Sequence, residues 1–269
     1  MIVAQHYEVG ESLGTGGEAR VFRARDLVTG LEVALRLAPV GGLDDEPRNL
    51  RSIPEQHAGW VRLLDRGIDE THGAYTVFEL LRGETLGTLV ARGPLGARDW
   101  HLFVRQSLEA VEALHRAGWV HRDLNGHNFL LHEGTTWKLL DLPFHTAAPE
   151  KTNSPFFGSI YTMAPEQFAG RAPDAHSDLY SLGCLYYAAA AGAYPHADGS
   201  EANIAIGRLR FPPEPLRSFQ TKLQVDEAAW VMRLLATNPA ERPVDIAAAR
   251  QLLRRTEEPK PIPRPSASD

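Results

Sequence analysis

His121-Arg122-Asp123-Leu124-Asn125-Gly126-His127-Asn128 decides how this chain is read. It follows a stretch in which Trp100, Val104, Leu108, Val111 and Leu114 recur every three or four positions, which predicts a helix with one buried stripe, stopped at Gly118. The octet is therefore a loop entered from a helix. Asp123 and Asn128 suit such a loop on plain grounds, because both residue types bond nearby backbone and steady turns. Asp141-Leu142-Pro143 comes next along the chain, then Ala164-Pro165-Glu166, Asp178 at the head of an apolar helix, and Glu241-Arg242-Pro243.

On the N-terminal side of the octet the pattern changes to strands. Residues 7–13, 20–26, 31–37 and 74–80 are β-branched or alternate apolar with polar, and Thr29-Gly30 and Thr71-His72-Gly73 fit hairpin tips. Gly14-Thr15-Gly16-Gly17-Glu18-Ala19-Arg20-Val21 joins two of these strands. Backbone free of side chains there could fold over phosphates and donate amide hydrogens, although a glycine-rich hairpin without a ligand has the same composition. Val33-Ala34-Leu35-Arg36 occupies the next strand. A two-turn helix is expected over 45–53, with Asp44 or Asp45 as N-cap, Pro47 in its first turn and Pro54 ending it. Further helices are expected at 178–191, 227–236 and 244–254. Residues 257–269, rich in Pro, Ser and charge, read as a disordered tail or a linker to more protein. Strands first and helices after is the α+β pattern.

Composition removes several function classes. A net charge of -6 over 269 residues, with the two signs interspersed, leaves no basic stripe for nucleic acid. The single cysteine, Cys184, sits in an apolar run, so it reads as a core filler and excludes a disulfide within the chain. The longest uncharged stretch, 179–196, is broken by glycines and ends near Pro195, which fits a buried helix better than a membrane span. No basic and then apolar segment opens the chain, so a cytoplasmic location is expected. His121, His127 and His132 lack acidic or thiol company at ligand spacing, and no transition-metal site is expected.

The ordered set of motifs resembles the protein kinase family, in the bacterial form related to eukaryotic Ser/Thr kinases. That resemblance spans nearly the whole chain. It implies a bilobal fold: a small antiparallel sheet with one short helix over 1–82, a larger helical lobe over 83–256, and the tail beyond. It implies ATP and Mg2+ as cofactors. By the resemblance, Gly14 and Gly16 lie over the phosphates and Arg36 pairs with them. Phe78 is the gatekeeper, the backbone from Glu79 to Leu81 binds adenine, and Val21, Ala34 and Leu130 sandwich the ring. Asp123 takes the proton of the substrate hydroxyl, while Asn128 and Asp141 hold magnesium through hard oxygen ligands. His121 is structural, and Glu166 with Arg242 forms a buried ion pair.

Departures from the family pattern set the functional expectation. Position 36 carries arginine instead of lysine, and a planar guanidinium places its charge differently from a compact ammonium. A misplacement near 1 Å costs about 10²-fold where catalysis rests on positioning. Asn125 replaces a lysine that steadies the transferring phosphoryl group, worth roughly 3 kcal/mol of barrier. Leu142-Pro143 replaces Phe-Gly and stiffens the backbone. Ala19 replaces a glycine, and Ser159 a threonine that bonds the catalytic loop. Glu46, at the head of the short helix, is the candidate partner of Arg36. Thr146, Thr152 and Ser154 are candidate phosphate acceptors, with Arg122 placed to respond to them. The expectation is a pseudokinase that binds Mg-ATP weakly or not at all and signals through a protein partner; the alternative is a slow Ser/Thr kinase acting on protein hydroxyls.

Overall fold

A computed structural model describes residues 1–15, 19–38, 56–142, 159–196, 200–219 and 221–257. The elements are β1 (Ile2–Val3), β2 (Tyr7–Thr15), β3 (Arg20–Asp26), β4 (Glu32–Leu37), β5 (Leu63–Asp69), β6 (Gly73–Glu79), β7 (Gly83–Thr85), α1 (Leu86–Val90), α2 (Ala97–Arg116), β8 (Phe129–His132), β9 (Thr136–Leu139), α3 (Pro165–Phe168), α4 (Ala175–Ala191), α5 (Glu201–Arg210), α6 (Val225–Leu234) and α7 (Ile246–Glu257). This is the α+β composition expected. The helix expected over 45–53, with Glu46, lies outside the described residues, as do Gly16, Pro143, Thr146, Thr152 and Ser154. Two compact units divide the chain: Met1–Leu89, Arg105–His121 and Gly126–Asn153 form the first, and Val90–Val104, Arg122–Asn125 and Ser154–Asp269 the second.

In the first unit six strands pair antiparallel in the order β1-β2-β3-β4-β6-β5. Alternation sends Val33 and Leu35 of β4 inward, where they meet Val3, Tyr7, Ala24 and Val77 in one buried cluster. The sheet curls around that cluster until its two ends touch. Tyr7 donates its hydroxyl to Asp65 of β5 at 2.8 Å, and the Ala4 amide, in the β1–β2 turn, reaches the Asp69 carboxylate at 2.8 Å. A second sheet, β7-β8-β9, forms beside it. Gly83 has φ 154, and a Cβ there would run into the Leu131 carbonyl, so only glycine fits.

Asp69 also accepts the amides of Thr71 and His72, each at 2.9 Å. These bonds, the Ala4 amide foremost and against a smaller effect of burial, lower its carboxyl to about 2. A group depressed in this way adds stability above the unfolded carboxylate value of about 3.9, and that stability fades as pH falls through the folded value. Urea midpoints measured between pH 5 and pH 2 should therefore drop more steeply for the wild type than for Asp69→Asn; parallel curves would contradict the assignment.

The second unit is built on α4. Asp174 caps it by accepting the amides of His176 and Ser177, Ser177 Oγ accepts the Asp174 amide in return at 3.2 Å, and Gly192, at φ 78, ends it. Residues 177–190 of this helix are all buried, as expected of the uncharged stretch. No helix among the described residues is long and apolar enough to cross a membrane. Trp100 of α2 donates to the Tyr186 carbonyl at 3.0 Å, and Tyr186 stacks on Trp230 of α6 with centroids 5.5 Å apart. A Cβ at Gly183 would stand 2.8 Å from Leu234 Cβ, so glycine permits the close approach of α4 and α6. Cys184 is a filler here, with burial pushing its thiol up to about 11. Gly118, at φ 81, follows α2 as expected.

Candidate active site

Register gathers most of the expected nucleotide residues in the first unit. Val21 pairs with Arg36 across β3–β4, Ala34 with Phe78 and Arg36 with Thr76 across β4–β6. Directly opposed residues share a face, with Cβ atoms about 5 Å apart. Val21, Ala34, Arg36 and Phe78 therefore occupy the half-buried face of the sheet turned away from the Val33–Leu35 core. Gly14 lies opposite Val21 and is exposed; a Cβ there would meet nothing within 4 Å, so packing among the described residues does not require the glycine.

Residues 79–81, the hinge expected to bind adenine through its backbone, begin where β6 ends. Glu79 opposes Val33, which places its side chain on the other face from Phe78, and its carboxylate accepts Lys138 Nζ and the Arg62 amide, each at 3.0 Å. Burial would raise the Glu79 carboxyl, but the Lys138 bond and charge outweigh it and hold the group below the usual range. Leu81 is half-buried just ahead of β7. Leu130, also half-buried, pairs with Thr85 on one side and Lys138 on the other.

Both expected metal ligands stand at one end of the β8–β9 ladder. One step beyond the Phe129–Leu139 pair, the Leu140 amide donates to the Asn128 carbonyl at 2.7 Å. Asn128 is buried, Asp141 is exposed and Leu142 is buried again. Asp141 has φ 45, a left-handed backbone uncommon outside glycine. His121 is buried, with Nε2 3.5 Å from the Leu140 carbonyl.

The second unit holds Asp123. Its Oδ1 accepts Asn125 Nδ2 at 3.0 Å and the Ser159 amide at 2.9 Å. The residue before it, Arg122, is again left-handed at φ 71, and its amide donates to Asp178 Oδ1 at 2.9 Å. Asp178 is wholly buried in the first turn of α4, so the loop is anchored to the most buried helix of the unit. Ser159 thus meets the loop carrying Asp123 through its main chain.

Residues 159–166 are tied down along their length. Arg208 of α5, 1% exposed, donates Nη1 to the carbonyls of Ile160 at 2.8 Å and Met163 at 2.6 Å, and Nη2 to that of Tyr161. Ser181 Oγ donates to the Thr162 carbonyl at 2.9 Å. Glu166 receives both Arg242 nitrogens, at 2.7 and 2.9 Å, which is the ion pair expected of these two residues. Lys138, Asp178 and Arg208 were not singled out for these contacts from sequence. The signal for Lys138 is compositional: it is the first of only four lysines in a chain whose basic residues are mostly arginine. Arg208 carries no signal in the sequence, where no helix is expected around it.

Known proteins resemble this chain in sequence and in fold. A family profile described as "Protein kinase domain" matches residues 7–268. The serine/threonine-protein kinase PknB of Mycobacterium tuberculosis is 30% identical over 256 residues, covering 89% of this chain and 41% of that protein. A probable serine/threonine-protein kinase of Corynebacterium efficiens is 28% identical over 279 residues, covering 94% of this chain and 42% of its own length. The chain spans about two-fifths of the length of these curated relatives. Among solved structures, Rad53 1-466 in complex with AMP-PNP aligns with a TM-score of 0.77 at 25% identity, over 91% of this chain and 64% of that one.

Proposed function

Because this chain belongs to the protein kinase family, we propose that it binds Mg-ATP, is impaired in transferring phosphate to protein hydroxyls, and works in signalling chiefly by engaging a protein partner. Its fold is that of the family, with an antiparallel sheet in the N-terminal lobe and helices in the C-terminal lobe. The donor set fits the cofactor. Val21, Ala34, Phe78 and Leu130 offer apolar, half-buried surface to a base, Gly14 leaves room for close backbone approach, and Asn128 and Asp141 supply the hard oxygens that magnesium takes. Bound Mg-ATP would supply the phosphoryl group and a cation to offset its charge.

The observation that carries impaired transfer is the Asn125 amide, 3.0 Å from the Asp123 carboxylate. A neutral dipole orients that carboxylate but brings no charge to a phosphoryl group gaining negative charge, and such preorganised charge is a large share of catalysis here. Arg36, a guanidinium at the phosphate-pairing position, compounds the deficit.

A slow Ser/Thr kinase is the second reading, favoured by the care with which Asp123 is still held. The Ser159 amide fixes its carboxylate, and Asp178 fixes the backbone before it. Arg122 and Asp141 also retain strained backbone, which persists where surrounding structure over-determines it. Titration with Mg-ATP while following thermal unfolding, with labelled autophosphorylation of the same preparation and of Asp123→Asn, separates the two. A thermal shift is expected, with label incorporated at least about 10²-fold more slowly than the ~1–100 per second of ordinary kinases. Brisk, Asp123-dependent incorporation would make the domain an ordinary enzyme, and no thermal shift would refute nucleotide binding.

A further inference from the structure

The Glu79–Lys138 pair joins three elements that sequence alone keeps apart. Lys138 Nζ lies 3.0 Å from Glu79 Oε1 at the end of β6 and 3.3 Å from the Trp60 carbonyl. The same carboxylate oxygen accepts the Arg62 amide at 3.0 Å, and the Glu79 amide donates back to the Arg62 carbonyl at 3.0 Å. Lys138 is the cross-strand partner of Leu130, and Asp141 follows it by three residues. The two side chains are 14% and 22% exposed, so their attraction is screened far less than that of a surface pair. One compact ammonium thus ties the hinge strand to the strand carrying Leu130's partner and leading to Asp141. Its targets are a single carboxylate oxygen and one carbonyl, which suits the point charge of a lysine rather than the fork of an arginine.

We propose that Lys138 is a positioning residue for base recognition: by holding the Glu79 carboxylate it sets the backbone of 79–81 against the edge of an adenine ring. This rests on the nucleotide-binding reading above. The consequence is selective. Releasing the Glu79 carboxylate loosens the hinge, which would meet the base, while Gly14 and Arg36, which would meet the phosphates, stand on other strands. A supporting charge-assisted hydrogen bond of this kind corresponds to about a tenfold change in affinity.

Calorimetric titration of the wild-type chain, Lys138→Met and Glu79→Gln with Mg-ATP, Mg-GTP and Mg-tripolyphosphate tests it, at a temperature where each is folded by circular dichroism. Lys138→Met should bind Mg-ATP about tenfold more weakly, lose much of its preference for ATP over GTP, and bind tripolyphosphate as the wild type does. Glu79→Gln should behave alike, and the double variant no worse than either, because both act through one contact. A merely structural strut would lower the unfolding temperature and leave the ATP-to-GTP ratio alone, and that result overturns the proposal while the nucleotide reading stands. A wild-type chain that binds no nucleotide overturns both. Should Lys138→Met not fold, Glu79→Gln, which keeps an acceptor for the Arg62 amide, carries the same comparison.

Discussion

Arg242→Ala is expected to lose about 3–5 kcal/mol of stability, the cost of stranding a buried charge. Glu166 would keep a carboxylate that is 5% exposed while losing both guanidinium bonds. The Ser177 hydroxyl, 2.8 Å away, would remain as its partner. The loss extends past the pair. Arg242 also donates to the carbonyls of Ala236 at 2.9 Å and His176 at 2.8 Å, and its guanidinium lies 4.8 Å from the centre of the Tyr180 ring. Burial opposes ionisation of Glu166, yet the Arg242 bond and charge hold its carboxyl below the usual range, so the pair stabilises the fold at neutral pH and does so less as acid protonates the carboxyl. Denaturant unfolding of the isolated chain measures the effect. A change below about 1 kcal/mol would show that the pair is no more than a surface salt bridge in energy. Replacing both residues by apolar ones of similar volume should recover the part of the loss due to the uncompensated charge, but not the part due to the carbonyls of Ala236 and His176 losing their donor.

Arg36→Lys should raise phosphoryl transfer by about 10²-fold if the guanidinium is the main fault, because that is the order of rate lost when a reacting group is held about 1 Å out of place. Position 36 faces away from the core, with Val21 and Thr76 as its ladder partners, so the shorter side chain can be accommodated without disturbing Val33 or Leu35. Labelled autophosphorylation of Arg36→Lys, set against Arg36→Lys combined with Asp123→Asn, gives the answer. A gain that vanishes in the double variant places the defect at the phosphate-pairing cation. An unchanged rate moves it to Asn125, which stands where the family pattern has a lysine, or to the Leu142-Pro143 substitution.

Much of this architecture could be read from the chain because its signals are local. The stripe at Trp100, Val104, Leu108, Val111 and Leu114 repeats within one helix, and all five side chains are buried. The strands at 20–26 and 31–37 declare themselves by alternation, and the structure has Arg20–Asp26 and Glu32–Leu37. Where signals were short they went unread. β8 and β9 are four residues each, joined through Glu133 and Gly134 at positive φ, and β1 has two residues. α5 carries little signal, because Ser200 begins it inside a stretch with little apolar periodicity.

By itself, then, the sequence determined the α+β class, the order of the motifs and the identity of the groups available for chemistry, including the departures at 19, 36, 125, 142–143 and 159. Only the tertiary structure decided how those groups are held: that a neutral amide rests against Asp123, that Asp178 supports the backbone before it, that Arg208 gathers the carbonyls of 160, 161 and 163, and that Lys138 reaches Glu79 across 59 positions of chain. Periodicity and capping are properties of neighbours along the backbone, legible in any window of a dozen residues. Which distant donor meets which acceptor depends on strand register and on the packing of helices, and no local window contains it.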